Sequence, residues 1–322
     1  MKVLGMGNAL VDVLALIEDD SLLAQLELPK GSMQLIDAQK KDALHKAMEN
    51  KEKFVASGGS ASNTITGMAK LGIDTGFIGR VGKDFFGNYY KDDLEKYNVK
   101  SLLRICNEDS GVATTFVSTD GQRTFGTYLG AAAGLTANDL HSEDFAGYDY
   151  FYIEGYLVQN LELIRKAVVL AKENGAKVVL DMASYNVVEA SKDFLLEIIP
   201  QYIDILFANE EEAKALCGAE PEKALDIISD MVEIAIVKVG ENGSWIKRGN
   251  EKVFVPALKV NCIDTTGAGD LYAAGFLYGL IKQKSLKESG EIGTLLAGNV
   301  IQVMGPKMDE DKWKELIEAI SL

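Results

Sequence analysis

The residues of this chain best suited to chemistry lie in one short glycine-rich segment. Residues 264–270 read Asp-Thr-Thr-Gly-Ala-Gly-Asp and run directly into an apolar stretch, 271–281. A stretch that is apolar on every side predicts a buried helix, which places Gly267, Ala268 and Gly269 at the helix N-terminus. Unpaired backbone N–H groups and the positive end of the helix dipole can hold an anion at such a place.

Asp270 ends this segment, beside the N–H groups that would hold the anion. A carboxylate at this point can take a proton from an attacking hydroxyl group while the N–H groups stabilise the charge that is transferred. The alternative is that Asp270 only caps the helix, which is a common use of Asp. The segment therefore predicts either group transfer to a hydroxyl or an ordinary capped turn.

A second glycine-rich turn lies near the other end of the chain. Residues 58–63 read Gly-Gly-Ser-Ala-Ser-Asn, between a short strand-like run and a helical one. Gly58 and Gly59 let the backbone approach a ligand, and Asn63 offers both the donor and the acceptor that sugar hydroxyls need. An ordinary strand-to-helix turn with a serine cap is the alternative.

A further carboxylate, Asp12, follows the first strand-like run, which we place at 3–7. Open α/β sheets bind ligands at the carboxyl ends of their strands, where a carboxylate can accept two hydrogen bonds from a vicinal diol. An exposed loop acid is the alternative. Residues 5–10 almost match the dinucleotide-binding fingerprint, but Leu10 replaces the third glycine and no clear helix opens there.

Composition excludes several classes of protein. The chain has 322 residues and a formal charge of −15, which argues against nucleic acid or an anionic membrane as a partner. A phosphorylated substrate would need cations at so acidic a site, Mg²⁺ first among them. With two histidines, a Ser-His-Asp hydrolase or a histidine-ligated zinc site is not expected. Three scattered cysteines and an N-terminus without a signal pattern predict the cytoplasm.

Strand-like runs alternate with helical runs over most of the length, which predicts an α/β sheet covered on both faces. The clearest pairs of strand and helix are 150–153 with 161–173, 177–180 with 187–199, and 203–207 with 209–216. Several of these strands are nearly continuous apolar runs, as expected for parallel strands buried on both faces.

The region 111–129 breaks this alternation. Asp120 and Gly121 stand between two β-rich runs, and Asp-Gly in that position is a strong hairpin signal. No helical pattern nearby would cover this hairpin. Together with 13–36, the region predicts a small β lid over a cleft, within one domain of residues 1–322.

The two glycine-rich turns stand in the order, and at about the spacing, of the signatures of one family. The chain resembles the ribokinase-like, or PfkB, family of carbohydrate and nucleoside kinases over nearly its whole length. The resemblance implies an α/β fold: a three-layer α/β/α sandwich with a mostly parallel central sheet and a small β-sheet lid. It makes Asp270 the catalytic base. It also implies that Gly58, Gly59 and Asn63 bind hydroxyl groups of the substrate and that Asp12 binds its diol.

The resemblance further implies ATP, Mg²⁺ and K⁺ as cofactors. The positions near the nucleotide would be Asn209, Glu212, Lys238, Gly240, Gly243 and Asn299. Glu212 would hold hydrated Mg²⁺, although acids in a first helical turn also simply complement the dipole. Lys238 departs from the family, which often has Thr or Ser there. Asp264 and Thr266, with carbonyls near Gly305, match the K⁺ ligands.

Within the family, residues 7–12, 31–37 and 127–130 resemble the adenosine-kinase-like branch. An apolar lid residue such as Met33 could pack on a purine, which favours adenosine or a related nucleoside as substrate. A free sugar (ribose, fructose or a 2-keto-3-deoxy sugar acid) is the alternative, and a catalytically silent sugar- or nucleoside-binding regulator is another. The chain lacks the phosphate loop and the protein-kinase motifs, so those kinase classes are excluded. We expect a monomer, or a homodimer formed through the lid.

Overall fold

The computed structural model describes residues 1–120 and 122–321. Its strands are β1 (Lys2–Met6), β2 (Leu10–Leu16), β3 (Met33–Leu35), β4 (Lys53–Gly58), β5 (Asp74–Ile78), β6 (Arg80–Gly82), β7 (Val99–Ser101), β8 (Arg104–Cys106), β9 (Gly111–Val117), β10 (Arg123–Tyr128), β11 (Tyr150–Glu154), β12 (Lys177–Asp181), β13 (Ile205–Asn209), β14 (Ile234–Lys238), β15 (Gly243–Arg248) and β16 (Glu251–Pro256). Its α-helices are α1 (Ser21–Gln25), α2 (Ala38–Ala47), α3 (Ser60–Lys70), α4 (Phe85–Lys96), α5 (Ser142–Phe145), α6 (Leu161–Glu173), α7 (Tyr185–Ala190), α8 (Lys192–Tyr202), α9 (Glu210–Cys217), α10 (Pro221–Ser229), α11 (Ala268–Ile281), α12 (Leu286–Val300) and α13 (Glu310–Ser321).

A large sheet forms the middle of the molecule, in the strand order β16-β15-β14-β13-β12-β11-β1-β5-β7. Neighbouring strands from β14 to β7 are parallel, whereas β15 and β16 add an antiparallel edge. The apolar runs of the parallel strands are buried, because helices cover both faces of the sheet. The mostly parallel α/β fold expected from the sequence is confirmed. One predicted helix, 187–199, is two helices that meet at Ser191.

A smaller sheet has the order β3-β10-β9-β2-β4. Asp12 lies inside β2, opposite Ala56 of β4, and not in a loop after the first strand. The reason is that 10–16 alternates with period two, burying Val11, Val13 and Ala15 on one face. Strand β4, the short strand-like run before the second glycine-rich turn, also pairs here.

Helices cover one face of this small sheet, contrary to the expectation from the sequence. Helix α2 packs against β9 and β10, and α4 packs against β2 and β4. Leu44 of α2 sits directly over Gly126, where an added Cβ would come 2.5 Å from the Leu44 Cδ2 atom. The opposite face carries Asp12 and Arg123 toward the site described below. Gly121 of the expected hairpin turn lies outside the described residues.

Helix α11 is buried along most of its length, as its apolar sequence predicts. It packs against α12 and α3, with Gly275 and Gly279 allowing close approach to α12. The contact with α3 brings the two glycine-rich turns together. Within the described ranges, no helix is long and apolar enough to cross a membrane.

Candidate active site

The two glycine-rich turns meet at the carboxylate of Asp270. Ser60 Oγ donates to Asp270 Oδ1 at 2.7 Å, and Asn63 Nδ2 donates to Asp270 Oδ2 at 2.9 Å. Thr64 Oγ1 lies 3.1 Å from the backbone carbonyl oxygen of the same residue. Asn63, expected to bind a substrate hydroxyl, thus gives one of the two N–H donors of its amide to Asp270.

These contacts hold the carboxylate in one orientation and set its proton affinity. Burial raises the pKa of Asp270 to about 6, although the hydrogen bonds from Asn63 and Ser60 oppose the rise. Asp181 raises this pKa further, and Lys238 lowers it. The carboxylate is therefore ionised near neutral pH yet basic enough to accept a proton, which is the range that suits a general base.

The backbone before Asp270 forms the N-terminus of α11. Gly267 is the N-cap residue, with φ +78°, and a Cβ there would lie 2.7 Å from Pro306 Cβ, so glycine is required. Ala268 N donates to Thr265 O in the turn. The N–H groups of Gly269 and Asp270 lie in the first turn, where helix geometry offers no intrahelical acceptor. Unpaired N–H groups at a helix N-terminus are suited to a phosphate group.

A partly buried lysine lies beside the same turn. Lys238, the last residue of β14, has its Nζ atom 3.2 Å from where a Cβ on Gly269 would lie. Its ammonium group is held by Asp181 of β12 at 3.2 Å. Burial alone would lower the pKa of Lys238, but Asp181 and Glu212 raise it above its usual value. Tyr152 OH also donates to Asp181, at 3.3 Å. A positive charge is therefore fixed beside the anion-binding N–H groups.

Glu212 and Asn209 form a capping box at the start of α9. Asn209 Oδ1 accepts from Glu212 N at 2.8 Å, and the Glu212 carboxylate accepts from Asn209 N at 2.7 Å and from its Nδ2 at 2.8 Å. Burial raises the pKa of Glu212. Within the described residues, no group of three acidic, His or Cys side chains could hold a metal directly. The site fits Mg²⁺ only as a hydrated ion held mainly by nucleotide phosphates.

The small sheet, which we call the lid, contributes Asp12 to the same site. Burial raises the pKa of Asp12 to about 7, while Lys307 and Arg123 lower it and Asp270 raises it. Gly58 lies directly against the Asp12 carboxylate, where any Cβ would collide with its oxygens. Lys307 bonds Ser57 and Asp93, joining the loop after α12 to the lid and to α4.

The residues expected to bind a monovalent cation bind one another and an arginine instead. Asp264 Oδ1 accepts from Thr266 N at 3.1 Å and from Thr266 Oγ1 at 2.8 Å. Asp264 Oδ2 accepts from Gly305 N at 2.7 Å and pairs with Arg123 Nη2 at 2.8 Å. Four donors use the four lone-pair positions of this carboxylate, so the arrangement does not fit an additional K⁺ ion.

The remaining predicted residues have other local partners. Asn299 Nδ2 donates to Leu295 O within α12. Gly240, with φ +53°, lies in the turn after β14 near Glu210. Gly243, with φ +125°, packs so closely on Val255 O that a side chain cannot fit, which makes its role structural. Met33 is 58% exposed on the lid, which leaves its side chain free to meet a ligand.

Sequence reasoning missed several side chains at this site. Glu154 and Asp181 each end a buried parallel strand, so the rule that ligands bind at carboxyl ends of strands could have found them. Arg123 could not be found that way, because its orientation depends on the register of the lid strands.

A helix N-terminus with unpaired N–H groups and a carboxylate in its first turn lies at the carboxyl edge of a parallel sheet, beside a small β sheet. This arrangement is typical of an α/β phosphotransferase. The profile of the pfkB family of carbohydrate kinases matches residues 31–313, and the chain belongs to this family. It is a sugar or nucleoside kinase that transfers a phosphoryl group to an alcohol.

Individual relatives agree with this classification. The chain is 30% identical to adenosine kinase of Saccharomyces cerevisiae, over 95% of this chain and 96% of that protein. The crystal structure of adenosine kinase from Sinorhizobium meliloti matches with a TM-score of 0.87 and 34% identity, over 99% of both chains. A probable sugar kinase from Rhizobium etli matches with a TM-score of 0.87 and 33% identity, over 99% of this chain and 98% of that one. The resemblance to the adenosine-kinase-like branch is confirmed.

Proposed function

We propose that this protein is an ATP-dependent nucleoside kinase that phosphorylates the primary hydroxyl of a ribose, with adenosine as the first candidate substrate. The observation that carries the proposal is the carboxylate of Asp270, held by Ser60 and Asn63 in the first turn of an anion-binding helix.

Asp270 accepts the proton of the attacking hydroxyl as the new O–P bond forms and the bond to the leaving ADP breaks. Hydrogen bonds from Ser60 and Asn63 keep the Asp270 carboxylate ionised and oriented toward the substrate hydroxyl. The N–H groups of Gly269 and Asp270 and the ammonium group of Lys238 stabilise negative charge on the transferred group.

Positive charge at the site is scarce relative to the acids around it. Asp181, Glu212 and Asp270 all interact electrostatically with Lys238, and Asp12 interacts with Asp270. Mg²⁺, when bound with the nucleotide, would supply further positive charge to the phosphate oxygens. Glu212 would orient water on that ion, since its carboxylate is already fixed by Asn209.

The face of the lid that looks into the cleft supports a nucleoside. The pairing of strands places Met33 beside Phe125, Phe125 beside Thr115 and Thr115 beside Leu14. This largely apolar row suits the flat face of a base, whereas Asp12, one row away, suits the ribose diol.

A free sugar acid is a weaker candidate. Its carboxylate needs an unpaired basic residue, and the two basic residues near Asp12 are already paired: Arg123 with Asp264 and Lys307 with Asp93. A neutral sugar would leave the apolar row uncovered, which costs hydrophobic free energy.

The proposal is tested by coupled ADP release with a panel of acceptors: adenosine, other nucleosides, ribose, fructose and a 2-keto-3-deoxy sugar acid. We expect the highest kcat/KM with adenosine or a close analogue. A higher kcat/KM with a free sugar would overturn the nucleoside assignment. Binding of nucleoside without any ADP release would instead indicate a silent binding protein.

A further inference from the structure

Glu154 is a buried carboxylate that no step above uses. It is the last residue of β11, and 1% of its surface is exposed. Its Oε1 atom accepts from Asn8 N at 2.8 Å and from Asn8 Nδ2 at 2.6 Å, and its Oε2 atom accepts from Ala61 N at 3.0 Å. All three donors belong to other elements, so this one side chain ties the end of β1 to the start of α3.

The start of α3 needs such a partner. Its N-cap residue is Gly59, which has no side chain to accept a hydrogen bond from the first turn. Glycine is required there, because φ is +91° and a Cβ would collide with Asn8 O. Glu154 reaches across from the neighbouring sheet and caps the second residue of the helix, Ala61. A carboxylate also complements the positive end of the helix dipole.

The capped turn is the one that holds the base. Ser60 and Asn63 lie on either side of Ala61 in the first turn of α3, and both donate to Asp270. We propose that Glu154 is a positioning residue, which fixes the first turn of α3 and thereby aims Asp270 at the substrate hydroxyl. This inference rests on the proposed role of Asp270 as the base.

The isosteric change Glu154→Gln tests the inference. A glutamine amide can accept on one side only, so its NH₂ group would face either Ala61 N–H or the Asn8 donors, and the first turn of α3 would shift. We expect kcat to fall by about tenfold to a hundredfold, because small misplacements of a catalytic group are costly. The KM for ATP should stay within about twofold, since the nucleotide side does not contact Glu154.

A second readout is the pH dependence of kcat. Hydrogen bonds from Ser60 and Asn63 favour the ionised form of Asp270, so weakening them raises its pKa further. In the wild type, activity should fall as the pH drops through about 6. Glu154→Gln also removes a negative charge that interacts with Asp270, which by itself moves that fall to lower pH. Glu154→Asp keeps the charge and withdraws the carboxylate, so in this variant the fall should occur at higher pH. A purely structural role for Glu154 would lower stability and leave the profile in place.

The matched control is Asp204→Asn. Asp204 also bonds a backbone N–H, that of Val178 at 2.6 Å, but at the opposite edge of the same sheet. The Asp204→Asn variant should lose thermal stability, whereas its kcat and the pH profile of kcat should stay unchanged. If Glu154→Gln does not fold, Glu154→Asp keeps the charge and withdraws the carboxylate, and the same loss of kcat is expected.

A double-mutant cycle with Asn63→Ala tests whether Glu154 acts through the first turn of α3. If Glu154 acts through the first turn of α3, the two losses in kcat should be clearly less than additive. Additive losses, or a normal kcat in Glu154→Gln, would overturn the inference. A fully active Asp270→Asn enzyme would instead overturn the proposed function, so the two failures are distinguishable.

Discussion

The two sheets of this molecule contribute to the candidate site in different ways. The large sheet contributes residues at the carboxyl ends of its parallel strands: Glu154 of β11, Asp181 of β12, Asn209 of β13 and Lys238 of β14. The small sheet contributes residues from one face, such as Asp12 of β2 and Arg123 of β10.

The difference lies in what each arrangement depends on. A residue at the end of a parallel strand reaches the edge whatever the side-chain alternation within that strand. A residue on a sheet face changes sides when the pairing slips by one position. The large sheet therefore supplies a rigid set of charges, and the small sheet supplies side chains whose place depends on its register and on its contact with the main body.

The largest expected effect comes from Asp270, which lies in the first turn of α11, in the main body of the molecule and outside the small sheet. Asp270→Asn keeps the shape of the side chain and removes the base, so kcat should fall by roughly 10²–10⁴. ATP and substrate affinities, measured by calorimetry, should remain nearly unchanged. A variant that retains more than about a tenth of the wild-type kcat would refute the assignment of the base.

Lys238→Met should have the next largest effect. It removes the charge beside the anion-binding turn but keeps most of the side-chain volume, and we expect kcat to fall about a hundredfold, as for other lost electrostatic contacts to a transition state. Asp181→Asn loosens Lys238 but leaves its charge in place, so it should cost less. Steady-state kinetics with ATP as the varied substrate measures both.

The matched control for this prediction is Lys192→Met. Lys192, the first residue of α8, is a lysine whose ammonium group also has a defined contact, to Ala215 O at 2.8 Å, and it has no contact with Asp270. Its kcat should equal that of the wild type. Equal kcat for Lys238→Met and the wild type would mean that the edge of the large sheet does not contribute charge to transfer.

Arg123 of the small sheet pairs with Asp264, which precedes α11 in the main body. The dependence of kcat on monovalent cations therefore tests how the small sheet and the main body are joined. Because Arg123 already satisfies Asp264, kcat of the wild type should differ by less than about threefold between K⁺ and N-methylglucamine. Arg123→Gln frees a lone pair of Asp264 and should increase that ratio. A strong K⁺ requirement in the wild type would show that Arg123 leaves Asp264 during turnover and that the K⁺ site expected from the family exists.

The sequence predicted the large sheet better than the small one, for the same physical reason. Glycine-rich turns and strand ends are local features, so residues 58–63 and 264–270 could be assigned without knowing the fold. The strand Lys53–Gly58 could not be assigned to the small sheet, because short strands do not specify their partners. Nor could the sequence reveal that Asn63 binds Asp270, which is 207 residues away.

The smallest expected effect concerns the lid alone. Met33→Asp places a charge in the apolar row that we propose for the base, so the KM for the nucleoside should rise about tenfold, a cost consistent with desolvating a charge beside an apolar ring. The KM for ATP should not change. Met33→Leu keeps the row apolar and should behave as the wild type. Leu161→Asp, which adds a charge at an exposed apolar position on α6, is the control for the added charge alone. Sedimentation of each variant excludes a change of assembly as the cause. If the nucleoside KM stays unchanged in Met33→Asp and a free sugar is the better substrate, the lid face does not select the substrate, and both the base contact and the nucleoside assignment are wrong.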